Sequence, residues 1–225
     1  MEDSNATFSF FELFRMGGVV MWPLLLFSIV TVGIIIERAI YLFYHNLKVG
    51  DLKEKVAEAI QQGNLNEAKQ FLESQTGRRM GARVLLMLIN RAELSEQRLE
   101  KTVEIEAMNS ISSLENGFSL LTTLGSLSPL TGFLGTVTGM IGAFRSIAEA
   151  ADVNAQLVAN GIYEALITTV FGLVIAILSM SAHSVFTSIV DKFASDLEIA
   201  CSDLIIELSE FRAKSETGGA AANDN

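Results

Sequence analysis

The sequence predicts an all-α integral membrane protein: three transmembrane helices, the second and third extended into a long cytoplasmic helical stalk, and the N-terminus outside. Three observations carry this prediction. Apolar residues are clumped into three runs, 19–36, 120–144 and 161–182, in or near the range of roughly 17–25 residues that crosses a hydrocarbon core. Only 19% of the 225 residues are charged and 50% are hydrophobic, with a mean hydropathy of +0.39, a balance unlike that of a soluble globular chain. Lysine and arginine are also unevenly placed: eleven in 37–117, none in 147–160, and only Arg15 in the first 18 residues. By the positive-inside rule this puts 37–117 and the tail in the cytoplasm, and the N-terminus and 147–160 outside.

Taken in order, residues 1–18 form an outer N-terminal segment in which Phe8, Phe10, Phe11 and Phe14 mark an amphipathic helix at the interface. The first span, 19–36, opens on Trp22 and Pro23 and closes on Glu37 and Arg38. Its acidic N-terminal flank argues against a cleavable signal. The domain 37–117 is helical: Asp51 is placed to cap a first helix, Gly63 and Asn64 break it, and Asn64 with Glu67 forms a capping box for the next. Residues 76–80 form a loop in which Arg78 and Arg79 suit phospholipid head groups. From Ser95 an apolar stripe runs on through Leu99, Val103, Ile111 and Leu121 into the second span, 118–146. The pattern predicts one helix from Ser95 to Ser146, about 75 Å long at 1.5 Å per residue. After the outer connection 147–160, the third span, 161–184, continues as a cytoplasmic helix over 185–214, and 215–225 is a polar, unstructured tail.

The chemistry gathers on the second and third spans. Glu164 is the only acidic or basic residue between Asp152 and Asp191. A charge at the centre of a span costs roughly 2.5–3.5 kcal/mol on insertion scales, so it faces protein or a wet cavity. Thr168 and Thr169 follow it. Small residues line one face of the second span, Gly125, Pro129, Gly132, Thr136, Gly139, Ala143 and Ser146, and one face of the third, Gly161, Glu164, Thr168, Gly172, Ala176, Ser179 and His183. Such stripes let helices approach closely in lipid, and Gly135 with Gly139 adds a small-xxx-small pair. Pro129 removes one backbone hydrogen bond and leaves a carbonyl for Ser126, Ser128 or water. Thr136 and Glu164 each lie 14 residues from position 150, so an antiparallel hairpin sets them at nearly the same depth.

The runs P-L-T-G-F-L-G-T-V-T-G-M-I (129–141) and G-I-Y-E-A-L-I-T-T-V-F-G-L-V-I-A-I (161–177) resemble the MotA/TolQ/ExbB proton-channel family. The stretch M-W-P-L-L-L-F-S-I-V with Glu37–Arg38 is most similar to the ExbB branch, the biopolymer transport proteins. The resemblance implies that the membrane carboxylate is Glu164 and that Thr136 and Thr169, with Thr168 beside them, line a pore. Pro129, Gly132, Gly135, Gly139, Gly161 and Gly172 then build the pore wall. It further implies a homopentamer around single-span ExbD-like helices that carry a membrane aspartate, acting as a molecular motor of the inner membrane of a Gram-negative bacterium. The proton motive force would thereby energise a TonB-like transducer and TonB-dependent outer-membrane transport. This chain reads Ala176–Ile177–Leu178 where the family often has a proline.

Alternatives are a TolQ-like subunit of an envelope system, a non-conducting scaffold, and a channel that needs no partner. An enzyme is not expected: His45 and His183 are isolated and Cys201 is the single cysteine. Neither metal spacing nor a phosphate loop occurs, so no metal and no cofactor is expected. The net charge of −10 resides largely in the tail, with three bases against eight acids over 187–225, and no basic patch suggests nucleic acid.

Overall fold

The computed structural model describes residues 14, 16–149 and 155–222, so most of the expected amphipathic segment and the centre of the outer connection lie outside the described residues. Seven helices and no strand occur among the described residues: α1 (Met21–Tyr44), α2 (Gly50–Gln61), α3 (Leu65–Gln75), α4 (Met80–Asn90), α5 (Glu96–Leu114), α6 (Phe118–Glu149) and α7 (Ala155–Ala222). Three are long and apolar enough to cross a membrane, namely α1, α6 and, within α7, Val158–Ala213. The chain is a multi-pass, all-helical membrane protein.

The chain divides into two compact units, one of residues 1–37 with 117–185, the other of 38–116 with 186–225. In the first unit α1 lays Met21 and Leu24 against Ile167 and Ile175 of α7, with Phe27 and Phe171 beside them. The other face of α7 meets α6 through small residues. Toward lipid-sized space α6 presents Leu130, Phe133, Leu134, Ile141 and Phe144, all more than half exposed. Its hydroxyls turn inward on their own helix: Thr122, Thr123, Ser126, Ser128, Thr131, Thr136, Thr138 and Ser146 each donate to a carbonyl one turn back. Ser128 donates to Leu124, one residue short of the Gly125 carbonyl that Pro129 leaves without an amide.

The second unit is a helical bundle rather than a two-helix stalk. Leu52, Val56 and Ile60 of α2, Leu72 of α3, Leu85 and Leu88 of α4, and Leu99 of α5 are buried together with Phe193, Leu197 and Leu204 of α7. Lys53 pairs with Asp203, and Arg212 donates to the Leu94 carbonyl at 2.8 Å. The stripe expected on 185–214 therefore meets a core built from α2–α5. At 11 residues α4 is too short to span a bilayer, and its six buried residues form the centre of that core.

Three expectations on helix ends are corrected. The stripe from Ser95 is not one helix: α5 ends at Leu114, and Gly117 takes φ +84° before α6 begins. That left-handed conformation is open to glycine at little cost and ends a helix without disturbing the apolar period. Helix α1 runs on past Glu37–Arg38, where the first span is expected to close, as far as Tyr44. Arg38 is buried, donates to the Ser113 carbonyl at 3.4 Å and lies over the Tyr41 ring, so its charge is satisfied inside the helix run. Asp51 does not cap α2 but sits in its first turn, where it pairs with Arg79. Asn64 does cap α3, accepting from the Glu67 amide at 3.3 Å. Helix α7 continues to Ala222, into the segment expected to be unstructured; extending a formed helix needs no new nucleus.

The Arg79 guanidinium beside Asp51 holds its carboxyl below the usual carboxylate value of 3.8. A lowered folded-state value contributes stability above the unfolded value, and that stability is lost as pH falls through the folded one. Asp51 is half exposed, so Asp51→Asn is expected to cost less than about 1 kcal/mol at neutral pH. The difference from wild type should vanish below that carboxylate range, as read from thermal unfolding of the detergent-solubilised protein across an acid series.

Candidate functional site

The site begins with how closely α6 and α7 approach. A Cβ on Gly132 would stand 2.7 Å from the Thr168 carbonyl oxygen, and one on Gly172 would stand 2.5 Å from that of Ser128. A Cβ on Gly161 would meet that of Ala143 at 2.5 Å, and one on Gly139 the Gly161 carbonyl at 3.1 Å. Only hydrogen fits at these crossings, and packing of this kind is what holds helices together in lipid. The seam on α6 runs through Gly125, Ser128, Gly132, Gly135, Gly139 and Ala143, all buried. It is centred one position away from the expected stripe, since Pro129 and Thr136 are only half-buried at its flank.

Hydroxyls lock the seam. Thr168, 1% exposed, donates to the Ala165 carbonyl at 2.9 Å and across to the Gly132 carbonyl at 3.2 Å. Thr169 reaches the same Gly132 oxygen at 3.4 Å. Further along, Ser179 donates to the Leu121 carbonyl at 2.7 Å, and His183 meets the Phe118 ring edge-on at 6.0 Å. The hydroxyls of Thr168, Thr169 and Ser179 thus all donate to main-chain oxygens of α6.

Glu164 stands apart from this seam. It is half-buried, and among the described residues no protein group hydrogen-bonds its carboxylate. Its neighbours are the turn at Gly18 and a cleft shared with Thr138, Ser146, Asn160 and Tyr163. The structure thus brings Thr168, Thr169, Gly132 and Gly135 together and sets Glu164 about a turn away. Thr136 donates to the Phe133 carbonyl at 2.6 Å and does not line the Glu164 cleft. The pairings Gly139 with Ala165 and Gly135 with Thr168 set Thr136 level with Ile167, about 4.5 Å deeper than Glu164 at 1.5 Å per residue. Thr138, rather than Thr136, shares the Glu164 cleft. Sequence reasoning missed Gly18, Thr138 and Tyr163; the Gly17–Gly18 pair just before Trp22–Pro23 was the available signal. Among the described residues no group of three or more histidine, cysteine or acidic side chains could hold a metal.

The hairpin of α6 and α7 lies largely within the stretch that comparison with known proteins matches. The pattern of the MotA/TolQ/ExbB proton channel family matches residues 54–199. A biopolymer transport protein of Synechocystis named ExbB-like 1 is 32% identical over 83% of this chain and 76% of its own length. Biopolymer transport protein ExbB of Salmonella typhimurium is 28% identical over 84% and 80% respectively. The Vibrio cholerae biopolymer transport protein exbB1 is 28% identical over 80% of each chain. The chain belongs to the MotA/TolQ/ExbB proton channel family.

Proposed function

We propose that this protein is the ring-forming subunit of an ExbB–ExbD type motor that uses the proton motive force to energise TonB-dependent outer-membrane transport. The observation that carries the reading is Glu164: one carboxylate on the third apolar helix, unpaired among the described residues, beside a hairpin closed by glycines. Five copies surround two single-span ExbD-like helices in the inner membrane of a Gram-negative bacterium, with the N-terminus in the periplasm and 37–117 in the cytoplasm. Thr136 and Thr169, half-buried on the hairpin flanks, line the central pore with Glu164, while Thr168 serves the hairpin, its hydroxyl being spent on Gly132. Gly132, Gly135, Gly139, Gly161 and Gly172, with Pro129, form the wall. The partner's aspartate carries the proton across, and Glu164 relays it. Each charge falling through about 100 mV releases about 2.3 kcal/mol, enough to bias a small rotation that pulls on a TonB-like transducer. The relatives' names, biopolymer transport proteins of ExbB type, favour this reading over a TolQ-like role.

The test is reconstitution into liposomes with and without an ExbD-like partner under an imposed pH gradient. Proton flux is expected only when both proteins are present and co-purify as one complex. Flux from this chain alone would replace the stator by a self-contained channel. An assembled complex that never conducts would leave a scaffold.

A further inference from the structure

Next to Glu164 lies space that the hairpin packing does not use. A cleft of about 810 Å³ runs along the flank of α6 and α7, lined by Thr138, Gly142, Ser146, Asn160, Tyr163 and Glu164, with Met16, Val19 and Val20 along its other edge. We propose that this cleft is a water-filled vestibule through which hydronium reaches Glu164, and that Gly18 is a positioning residue for the carboxylate. The inference rests on the reading of Glu164 as a proton site.

Four observations support it. A half-buried carboxylate that no described residue hydrogen-bonds is costly unless water solvates it, and the cleft is the space on which it opens. The lining is staged: Asn160 lies one turn from Glu164 on α7, about 6 Å, and Ser146 two turns from Thr138 on α6, about 12 Å. Amide, hydroxyl and phenol groups thus accompany a water chain from the outer end of the hairpin down to the carboxylate. At about 30 Å³ per water, the volume holds a chain with room to spare. A lipid tail in the same place would leave Asn160 and Glu164 dry. The seam itself offers no rival route, because main-chain atoms of Gly132, Gly161 and Gly172 close it.

Gly18 shapes the near wall. It holds φ +65°, and a Cβ built there would overlap Oε1 of Glu164. Any other residue would both strain the turn and push the carboxylate out of its position. The same turn starts α1, with the Met21 amide donating to the Gly18 carbonyl at 3.3 Å, and Phe14 packs edge-on to Trp22 at 5.4 Å between ring centroids.

The experiment uses the full complex with the partner protein, in a Cys201→Ala background that removes the single cysteine. Thr138→Cys is treated with a small charged thiol reagent and, separately, with a lipid-soluble maleimide; Leu130→Cys, on the apolar outer face, is the control. The charged reagent is expected to modify Thr138→Cys and stop proton flux, and to spare Leu130→Cys. If Thr138→Cys reacts only with the lipid-soluble reagent while Glu164→Gln abolishes flux, the vestibule is overturned and the reading of Glu164 stands. If Glu164→Gln conducts normally, the underlying reading falls whatever the labelling shows. Gly18→Ala is expected to lower flux on the order of tenfold, since displacing a reacting group by about 1 Å can cost up to about 100-fold. It should also move the pH of half-maximal flux, which a turn defect alone would not do. Unchanged flux, or a loss with the pH profile unmoved, overturns the role of Gly18. If that variant fails to assemble, labelling of Thr138→Cys decides the proposal.

Discussion

Gly172→Leu is expected to leave no folded hairpin in the membrane, and Gly172→Ala to weaken it measurably. Even a methyl at this position would stand 2.5 Å from the Ser128 carbonyl oxygen and 3.2 Å from the Gly132 Cα. Both obstacles are main chain, so no rotamer change relieves the overlap and the helices must separate. Overpacking of this kind typically costs about 1–3 kcal/mol and sometimes more. Separation also lengthens the bonds from Thr168 to Gly132 and from Ser179 to Leu121, leaving hydroxyls to find partners in lipid. For a chain of this size, each 1 kcal/mol lowers the melting temperature by roughly 2–4 °C, so Gly172→Ala should lose several degrees by size-exclusion after heating in detergent. Gly33→Ala is the control: no atom lies within 4 Å of its Cβ position, and alanine in a helix is favoured over glycine by up to about 1 kcal/mol. It should be neutral or slightly stabilising. Equal behaviour of the two variants would show that close approach is not what holds α6 to α7.

Glu164→Gln and Glu164→Ala are expected to abolish proton-driven uptake in cells while leaving the complex assembled. The side chain is half-buried and makes no protein hydrogen bond among the described residues, so removing its charge breaks no contact that holds the fold. Loss of function with normal co-purification of the partner therefore reports on the proton path alone. Activity retained by glutamine and lost by alanine would make the residue a polar lining group that never ionises during the cycle. Activity retained by both would move the site elsewhere on the hairpin.

Much of this was legible in the sequence, for reasons that differ by element. The three spans announce themselves because apolar runs in lipid have no competing signal. Glu164 is equally plain, as an isolated charge in such a run has few structural excuses. The glycine crossings were readable as stripes, but not their centre: whether Thr136 or Gly135 faces α7 is a rotation of one position, and both are small. The break at Gly117 was hidden because one left-handed residue interrupts the helix without shifting the apolar period. The bundle around the end of α7 was legible only as an apolar stripe, since the sequence of a helix shows which side is buried and not against what. The cleft was not legible at all. It depends on how a two-glycine turn 146 residues away in sequence from Glu164 closes over it.

The self-satisfied hydroxyls of α6 have a mechanical consequence. Eight of the nine serine and threonine side chains of α6 would ordinarily make it adhesive, each bond across a helix interface being worth about 0.6–2 kcal/mol in lipid. Here each is already closed on its own backbone. A neighbour packed along α6 finds those hydroxyls engaged, and the bonds it does form run instead to main-chain oxygens, as from Thr168 to Gly132 and from Ser179 to Leu121. The polarity of α6 thus serves its own backbone, and adhesion between the two helices comes from close approach and from hydroxyls on α7.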